Sequence, residues 1–485
     1  MKLSDILSDK ELYCKSEALD TEIKRISLSP NITECGTLFV SLKGDLNAES
    51  KAIACGCSAI LCDVEDRKYS VPVIHAKNVR IAYSVLCFKL AEIDLTKIKL
   101  IGVTGTNGKT SVARTVYSIL NGCGHKCGFI GTASIELPEI KLSKRFYSMT
   151  TPDPEVLYPA LKTMQEFGCQ YAVMEVSSHS LYYEKLNPLN FSVSVFTNLS
   201  PEHLDFHKNI SDYYLSKKKI TDMTDTMIIN VDDYYGKLLY SEHSGKKIGV
   251  GAVYESDVSV KNVKTKGFDG IEYMYYGKDF VFKADSRLCG IFNVYNTALA
   301  LTAVIALGIK PHLAKEGLSK AEIVPGRFEV IHKSPTVVID YAHTPMGFEN
   351  FMKSLSYAAR GRKISVLFGC GGDRDKKKRP QMAKVAEKFA DKITVTSDNP
   401  RQEDPDAIIS EILCGFSKKA KYRVIPDRCE AIRALINDAD VNEVIAIVGK
   451  GEEGYIIDKD GYHTHSDREC ATNAIKLRKR AKSEN

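Results

Sequence analysis

Short apolar runs recur along the chain, each ending in polar residues, and most are followed by a stretch whose apolar positions repeat at helical spacing. In the first segment "TLFVSL" and "SAILCD" read as strands and "VRIAYSVLCFKLAEI" as a helix, which predicts a small α/β unit ending at Lys97. From Ile98 onward "KLIGVTG", "YAVMEVSS", "FSVSVFTNLS" and "TMIINVDD" alternate with helical patterns. Such alternation predicts a doubly wound, mostly parallel sheet whose ligands gather at the carboxyl ends of its strands.

The stretch "KNVKTKGFDGIEYMYYGKDFVFKADS" then changes the period to two, so antiparallel strands are expected, followed by a long apolar helix in "FNVYNTALALTAVIALGI". After "VPGRFEVI" the strands "TVVIDYAH", "KISVLFGC", "KITVTSDNP" and "EVIAIVGKGEE" are again separated by helical stretches, which predicts a Rossmann-like α/β domain from Phe328. The expected division is 1–97, 98–327 and 328–485, and 485 residues are enough for three cores. No repeat of fixed period and no low-complexity segment interrupts them.

Charge changes this picture little. Lys and Arg number 67 against 61 Asp and Glu, a balance of +6 that suits small anionic ligands and falls short of a nucleic-acid-binding signature. On charge alone, "KKK" at 217–219 and 376–378 and "KLRKRAK" at 476–482 read as solvated faces. Fourteen cysteines, scattered without a CxxC pair or a signal peptide, predict reduced thiols and a cytoplasmic location. Cys123, His125 and Cys127 lack the second ligand pair that a zinc site needs. The most apolar stretch, Ile291 to Ile309, contains Asn293, Asn296, Thr297 and Thr302 and is too polar to cross a bilayer. A soluble protein with neither a membrane nor a nucleic-acid partner is expected.

Candidate chemistry begins at "IGVTGTNGKTSVARTVYSIL". Gly105 to Thr110 forms a turn between a strand and a helix, where backbone N–H groups and the helix dipole favour a phosphate, Lys109 adds charge and Thr110 offers a hydroxyl to Mg²⁺. The loop is shorter than a Walker A loop, and a plain tight turn with a solvated lysine is the competing reading. "MEVSSHS" and "FTNLSPEHLDFH" end strands with Glu175 and His203, groups that suit Mg²⁺. In the last segment Arg374, Arg379 and Arg401 are placed to clasp carboxylates, with Asp398, Asn399 and Glu453 available for an ammonium, so an amino-acid site is expected. A solvated loop is the alternative for the charges of "DRDKKKR".

In order, "TGTNGKT", "TTPDP", "MEVSSH", "FTNLSPEHLDFH", "FNVYN", "PGRFE", "DYAHTP", "GGDRDKKKRP", "SDNPR" and "GKGEE" resemble the Mur ligase family over nearly the whole chain. These are ATP-dependent amide ligases that build the peptide of bacterial cell walls. The resemblance implies a UDP-substrate-binding domain at 1–97, an ATP-binding domain at 98–327 and an amino-acid-binding domain at 328–485. It implies that ATP phosphorylates a substrate carboxylate, an amine attacks the acyl phosphate and phosphate leaves. ATP is then expected on Gly105, Thr106, Asn107, Gly108, Lys109 and Thr110, on Asn293, Asn296 and Arg327, and on Asp340 and His343. Catalytic roles fall to Lys109, His203 and Lys217. Two Mg²⁺ ions are implied, with Thr110, Glu175, His203 and Lys217 as ligands; Lys217, fourteen residues after His203, matches a lysine that the family carbamylates.

The same resemblance assigns the UDP-substrate to Ser29, Thr150, Thr151, Ser177, Tyr183 and Lys185, and the added amino acid to Arg374, Asp398, Asn399, Pro400, Arg401, Gly449 and Glu453. The complete D-N-P-R string favours meso-diaminopimelate, whose far carboxylate the arginine reads, with UDP-N-acetylmuramoyl-L-alanyl-D-glutamate as acceptor. The chain departs from the family where Asp-Ser-Arg becomes Leu28, Ser29 and Pro30, where Gln-x-Arg becomes Tyr183, Glu184 and Lys185, and where Glu452 replaces a histidine. A paralogue acting on another carboxylate, a ligase adding lysine, and a catalytically idle binding subunit are the alternatives. A monomer is expected.

Overall fold

The computed structural model describes residues 1–7, 12–14, 20–42, 44–65, 67, 69–132, 134–138, 140–143 and 149–483. It divides into two compact units, one of 1–102, 125–192 and 216–225, the other of 103–124, 193–215 and 226–485.

The first unit opens with a five-stranded sheet in the order Leu12–Cys14, Val73–Ala76, Ala59–Cys62, Thr37–Val40, Arg25–Ser27. Its first strand is antiparallel and the others are parallel. Thr37–Val40, Ala59–Cys62 and Val73–Ala76 are buried at every position, as strands covered on both faces must be, and this is why the first two stand out as mostly apolar runs. Asn78 caps the helix Val79–Ala91 by accepting from the Arg80 and Ile81 N–H groups. In the same unit Tyr171–Glu175 pairs in parallel with Cys127–Ile130, and Ile135–Leu137 and Ile140–Ser143 extend that pair antiparallel.

In the second unit Val193–Phe196, Met227–Asn230, Lys247–Gly251 and Val258–Thr265 are parallel, and Ile271–Tyr276 and Val281–Ser286 continue antiparallel. The change of period in the sequence falls at this switch. Against these strands lies the apolar helix Phe292–Ala306, whose polar residues all have partners. Thr297 and Thr302 hydrogen-bond the hydroxyls of Tyr273 and Tyr275 at 2.9 and 2.8 Å. Among the described residues no helix is long and apolar enough to cross a membrane.

A six-stranded sheet follows, in the order Glu329–Lys333, Thr336–Asp340, Val444–Val448, Ile364–Phe368, Lys392–Val395, Tyr422–Val424, parallel except for the first pair. Phe348, Phe351 and Met382 pack on one face and Ile432, Leu435 and Ala471 on the other. Cys429 and Cys470 form a disulfide with Cα atoms 5.6 Å apart, which corrects the expectation of reduced thiols throughout. The physical reason is local. Arg428 and Asp467, one residue before Cys429 and three before Cys470, form a buried ion pair at 2.7 Å that draws the two helix starts together.

Candidate functional site

The strand Lys99–Thr104 delivers the chain into the loop Gly105–Gly108, and the helix Lys109–Gly122 starts directly after it with Val112, Val116, Ile119 and Leu120 buried. Neighbouring residues fix the loop. Asn107 N–H donates to Asn198 Oδ1 at 3.0 Å, Thr197 Oγ1 and Asn198 Nδ2 donate to the Asn107 carbonyl, and Ser200 N–H donates to Thr106 Oγ1. Lys109 Nζ lies over the loop, donating to the carbonyls of Gly105 and Thr106 at 3.0 and 2.9 Å. Gly108 has φ +87°, and a Cβ there would come within 2.5 Å of Asn296 Oδ1. That asparagine donates to Asn293, which in turn holds the Cys289 carbonyl. The two helix asparagines therefore form a polar tier against the glycine-rich loop.

Arg327 Nη2 donates to Thr110 Oγ1 at 3.1 Å, and its guanidinium lies 4.2 Å over the Tyr341 ring. Asp340, at a strand end, accepts from the Phe328 and Ala342 N–H groups at 2.6 and 2.8 Å. Burial pushes its carboxyl up, and Arg327 opposes the shift. His343 Nε2 lies 3.2 Å from Glu202 Oε1, and His203 Nε2 lies 3.9 Å from the other oxygen. Burial alone would raise the Glu202 carboxyl, but the His343 hydrogen bond and the positive charges of His203, His343 and Lys109 hold it well below the usual carboxylate range. Sequence reasoning singled out both histidines and missed Glu202; its place directly before His203 in "PEHLDFH" was the available signal.

In the first unit Glu175 is fully buried at its strand end, and its oxygens accept from the Thr132 N–H at 3.0 Å and from Thr132 Oγ1. Thr151 Oγ1 donates to the Glu175 carbonyl and lies 3.3 Å from Ser177 Oγ, which caps the helix Ser178–Tyr182, and Thr150 lies 3.4 Å from Thr132. Lys185 is buried and paired with Asp153 at 2.6 Å. Tyr183, which stands in place of the family's glutamine, carries the Arg80 guanidinium 4.1 Å over its ring. Leu28 N–H donates to Glu155, and Ser29 N–H to Ser27 Oγ. Lys217 is only 1% exposed, whereas Lys218 is half-buried and Lys219 is exposed and paired with Glu184. The reading of "KKK" as a solvated face fails at its first lysine.

The strand ends of the six-stranded sheet bring Asp398, Asn399, Gly449 and Glu453 together. Asp398 is nearly buried, accepts no hydrogen bond from any described residue, and has its nearest cations, Lys450 and Arg428, each 3.9 Å away. Burial would raise its carboxyl, but those two charges outweigh burial and lower it. Gly449 has φ +120°, and a Cβ on it would sit 2.8 Å from Asp398 Oδ2, so only glycine leaves that carboxylate in place. Arg401, at φ +54°, uses Nη1 on the carbonyls of Gly372 and Asn399 and leaves Nε and Nη2 without a partner among the described residues. Pro400 accepts through its carbonyl from the Glu403 N–H at 3.1 Å. Arg374 is exposed.

Arg379 does not fit the expected clasp. Its fully buried guanidinium is committed to Glu403, Glu411 and the Gly371 carbonyl. The hydrogen bond from Arg379 holds the Glu403 carboxyl down at about 2. A depressed carboxyl stabilises the fold above its unfolded value and loses that contribution as pH falls toward its folded value. Between about pH 4.5 and pH 2 the native protein should therefore lose more stability than Glu403→Gln, as measured by urea unfolding across that range. Parallel curves for the two proteins would remove Glu403 from the acid response.

Residues 103–304 match the family described as Mur ligase middle domain, and residues 326–451 the one described as Mur ligase, glutamate ligase domain. The chain is 37% identical over 487 residues to a UDP-N-acetylmuramoyl-L-alanyl-D-glutamate–2,6-diaminopimelate ligase of Clostridioides difficile, covering 98% of this chain and 99% of the other. It is 38% identical to the protein of the same name from Aquifex aeolicus, covering 92% of each. A solved structure of a ligase of that name superposes with a TM-score of 0.69 at 26% identity over 98% of this chain and 99% of that one.

Proposed function

The chain belongs to the Mur ligase family, and on that premise we propose how its residues divide the work of an ATP-dependent ligase. The enzyme joins meso-diaminopimelate to UDP-N-acetylmuramoyl-L-alanyl-D-glutamate through an acyl phosphate, a step in making peptidoglycan precursors. The nucleotide phosphates lie on the loop Gly105–Thr110. There Lys109 exchanges its two loop carbonyls for phosphate oxygens, and Asn293, Asn296, Arg327, Asp340 and His343 hold the rest of ATP. Loop N–H groups and Lys109 stabilise charge that builds during phosphoryl transfer, where positioning and electrostatics do most of the catalysis. Residues 1–97, 98–327 and 328–485 are the three functional domains, and the enzyme acts as a monomer in the cytoplasm.

The donors present suit Mg²⁺, a hard ion that takes oxygen ligands. In the first unit these are Glu175, a fully buried carboxylate oriented by Thr132, and Lys217, a buried side chain that would supply oxygen ligands as a carbamate. In the second they are Thr110 and the imidazole of His203. When bound, Mg²⁺ supplies positive charge that offsets the phosphate oxygens. Ser29, Thr150, Thr151, Ser177, Tyr183 and Lys185 take the UDP-substrate, with Arg80 adding a cation beside Tyr183.

Asp398 carries the amino-acid site. A nearly buried carboxylate held ionised yet given no hydrogen bond by the described residues is built to accept one from a substrate ammonium. Arg374, Asn399, Pro400, Arg401, Gly449 and Glu453 complete that site. The reading is tested by ATP-dependent phosphate release with meso-diaminopimelate or lysine crossed against UDP-N-acetylmuramoyl-dipeptide. Release with diaminopimelate and the dipeptide is expected, and none with any pair would point to another acceptor. Arg401→Ala should raise the KM for diaminopimelate by an amount worth roughly 1.5 to 3 kcal/mol, the scale of hydrogen bonds to a charged group, with the KM for ATP unchanged. An unaltered preference for diaminopimelate over lysine would refute its role.

A further inference from the structure

Lys450, in "GKGEE", has a fully buried side chain at the centre of the amino-acid site. Its ammonium has three hydrogens to donate. Nζ lies 2.8 Å from Asn399 Oδ1, 2.8 Å from the Tyr455 carbonyl and 3.4 Å from Glu453 Oε2, with Asp398 Oδ1 at 3.9 Å. One lysine thus touches or faces three of the side chains assigned to the added amino acid, and only the Tyr455 contact belongs to backbone.

The effect on Asn399 is specific. A carboxamide offers one acceptor oxygen and two donor hydrogens, and its two ends are nearly the same shape. Here Oδ1 accepts from both Lys450 Nζ and the Ile457 N–H at 3.0 Å, while Nδ2 donates to Glu453 Oε2 at 3.0 Å. A lysine has no acceptor, so the flipped amide would set NH₂ against the ammonium and against a backbone N–H. The orientation leaves one Nδ2 hydrogen uncommitted among the described residues. Lys450 also faces two carboxylates, Glu453 at 3.4 Å and Asp398 at 3.9 Å, and so presents positive charge to both.

We propose that Lys450 is a positioning residue for the added amino acid: it turns Asn399 so that an N–H meets the substrate carboxylate, and keeps Asp398 and Glu453 as acceptors for the substrate ammonium. The inference rests on the amino-acid site proposed above and adds to it the residue that sets its donor and acceptor pattern. A zwitterion with both groups on one carbon matches that pattern, whatever its side chain.

The test is Lys450→Met, close in length and without charge, measured beside Arg401→Ala and Asn399→Asp. Lys450→Met should raise the KM for meso-diaminopimelate about tenfold or more, with the KM for ATP and for the UDP-dipeptide unchanged. A purely structural lysine would instead lower the melting temperature and move all three constants together, and that result would overturn the proposal. Asn399→Asp keeps an acceptor for Lys450 and Ile457 but cannot donate and turns a carboxylate oxygen toward Glu453, so its diaminopimelate KM should rise as far while the KM for ATP stays unchanged. If Lys450→Met does not fold, Asn399→Asp decides, and an unchanged KM in it overturns the proposal. An effect in Arg401→Ala with none in Lys450→Met would overturn the role of Lys450 and leave the amino-acid site standing. No effect in any of the three would remove both.

Discussion

Lys109→Ala is expected to leave a folded protein whose turnover has fallen by about three to five orders of magnitude, the scale on which a placed cation acts in phosphoryl transfer. The fold should survive because Lys109 Nζ bonds the Gly105 and Thr106 carbonyls of its own loop and its half-buried side chain belongs to no hydrophobic core. The loop's shape is held by Thr197 and Asn198, which the substitution leaves alone. Phosphate release and a melting curve on the same sample check this. A variant that melts like the native protein and still turns over at a comparable rate would remove the phosphate from Gly105–Thr110.

Lys217→Ala should lose most activity, and short carboxylates such as formate or acetate should restore part of it by supplying the oxygens of the missing carbamate. Lys218→Ala should be mild, since Lys218 is half-buried where Lys217 is 1% exposed. Truncating a buried side chain also costs stability, so rates must be compared at a temperature where both variants are folded. Enzyme exposed to ¹³C-bicarbonate should show a carbamate carbon resonance that is absent in Lys217→Ala. No rescue by carboxylates together with no such resonance would reject the modification.

Much of the fold was legible because its strands are short, apolar and covered on both faces. Ile364–Phe368 and Val444–Val448 are buried at every position and announce themselves as such. The hairpin Tyr455–Asp458 with Gly461–Thr464 was not legible, since its residues are half-exposed and mixed in polarity. At the site, residues with distinctive local company were readable: Lys109 between glycine and threonine, Asp398 in D-N-P-R. What escaped were the groups that act on other groups. Arg379 looked like a clasp because spacing cannot show that Glu403 and Glu411, more than twenty residues on, already occupy it. Glu202, Thr132 and Lys450 take their meaning from His343, Glu175 and Asn399, partners that only folding supplies.

The ion pair between Arg428 and Asp467 has a genetic consequence. Asp467 begins the last helix, while Arg428 also holds the Ser397 and Val448 carbonyls, each one residue before Asp398 and Gly449. A premature stop codon just ahead of position 467 would spare every residue assigned to substrate. It would nevertheless strand a guanidinium in the protein interior, next to the strand ends that carry the amino-acid site, and a buried charge stripped of its partner is strongly destabilising. A nonsense allele just ahead of position 467 should therefore behave as a null.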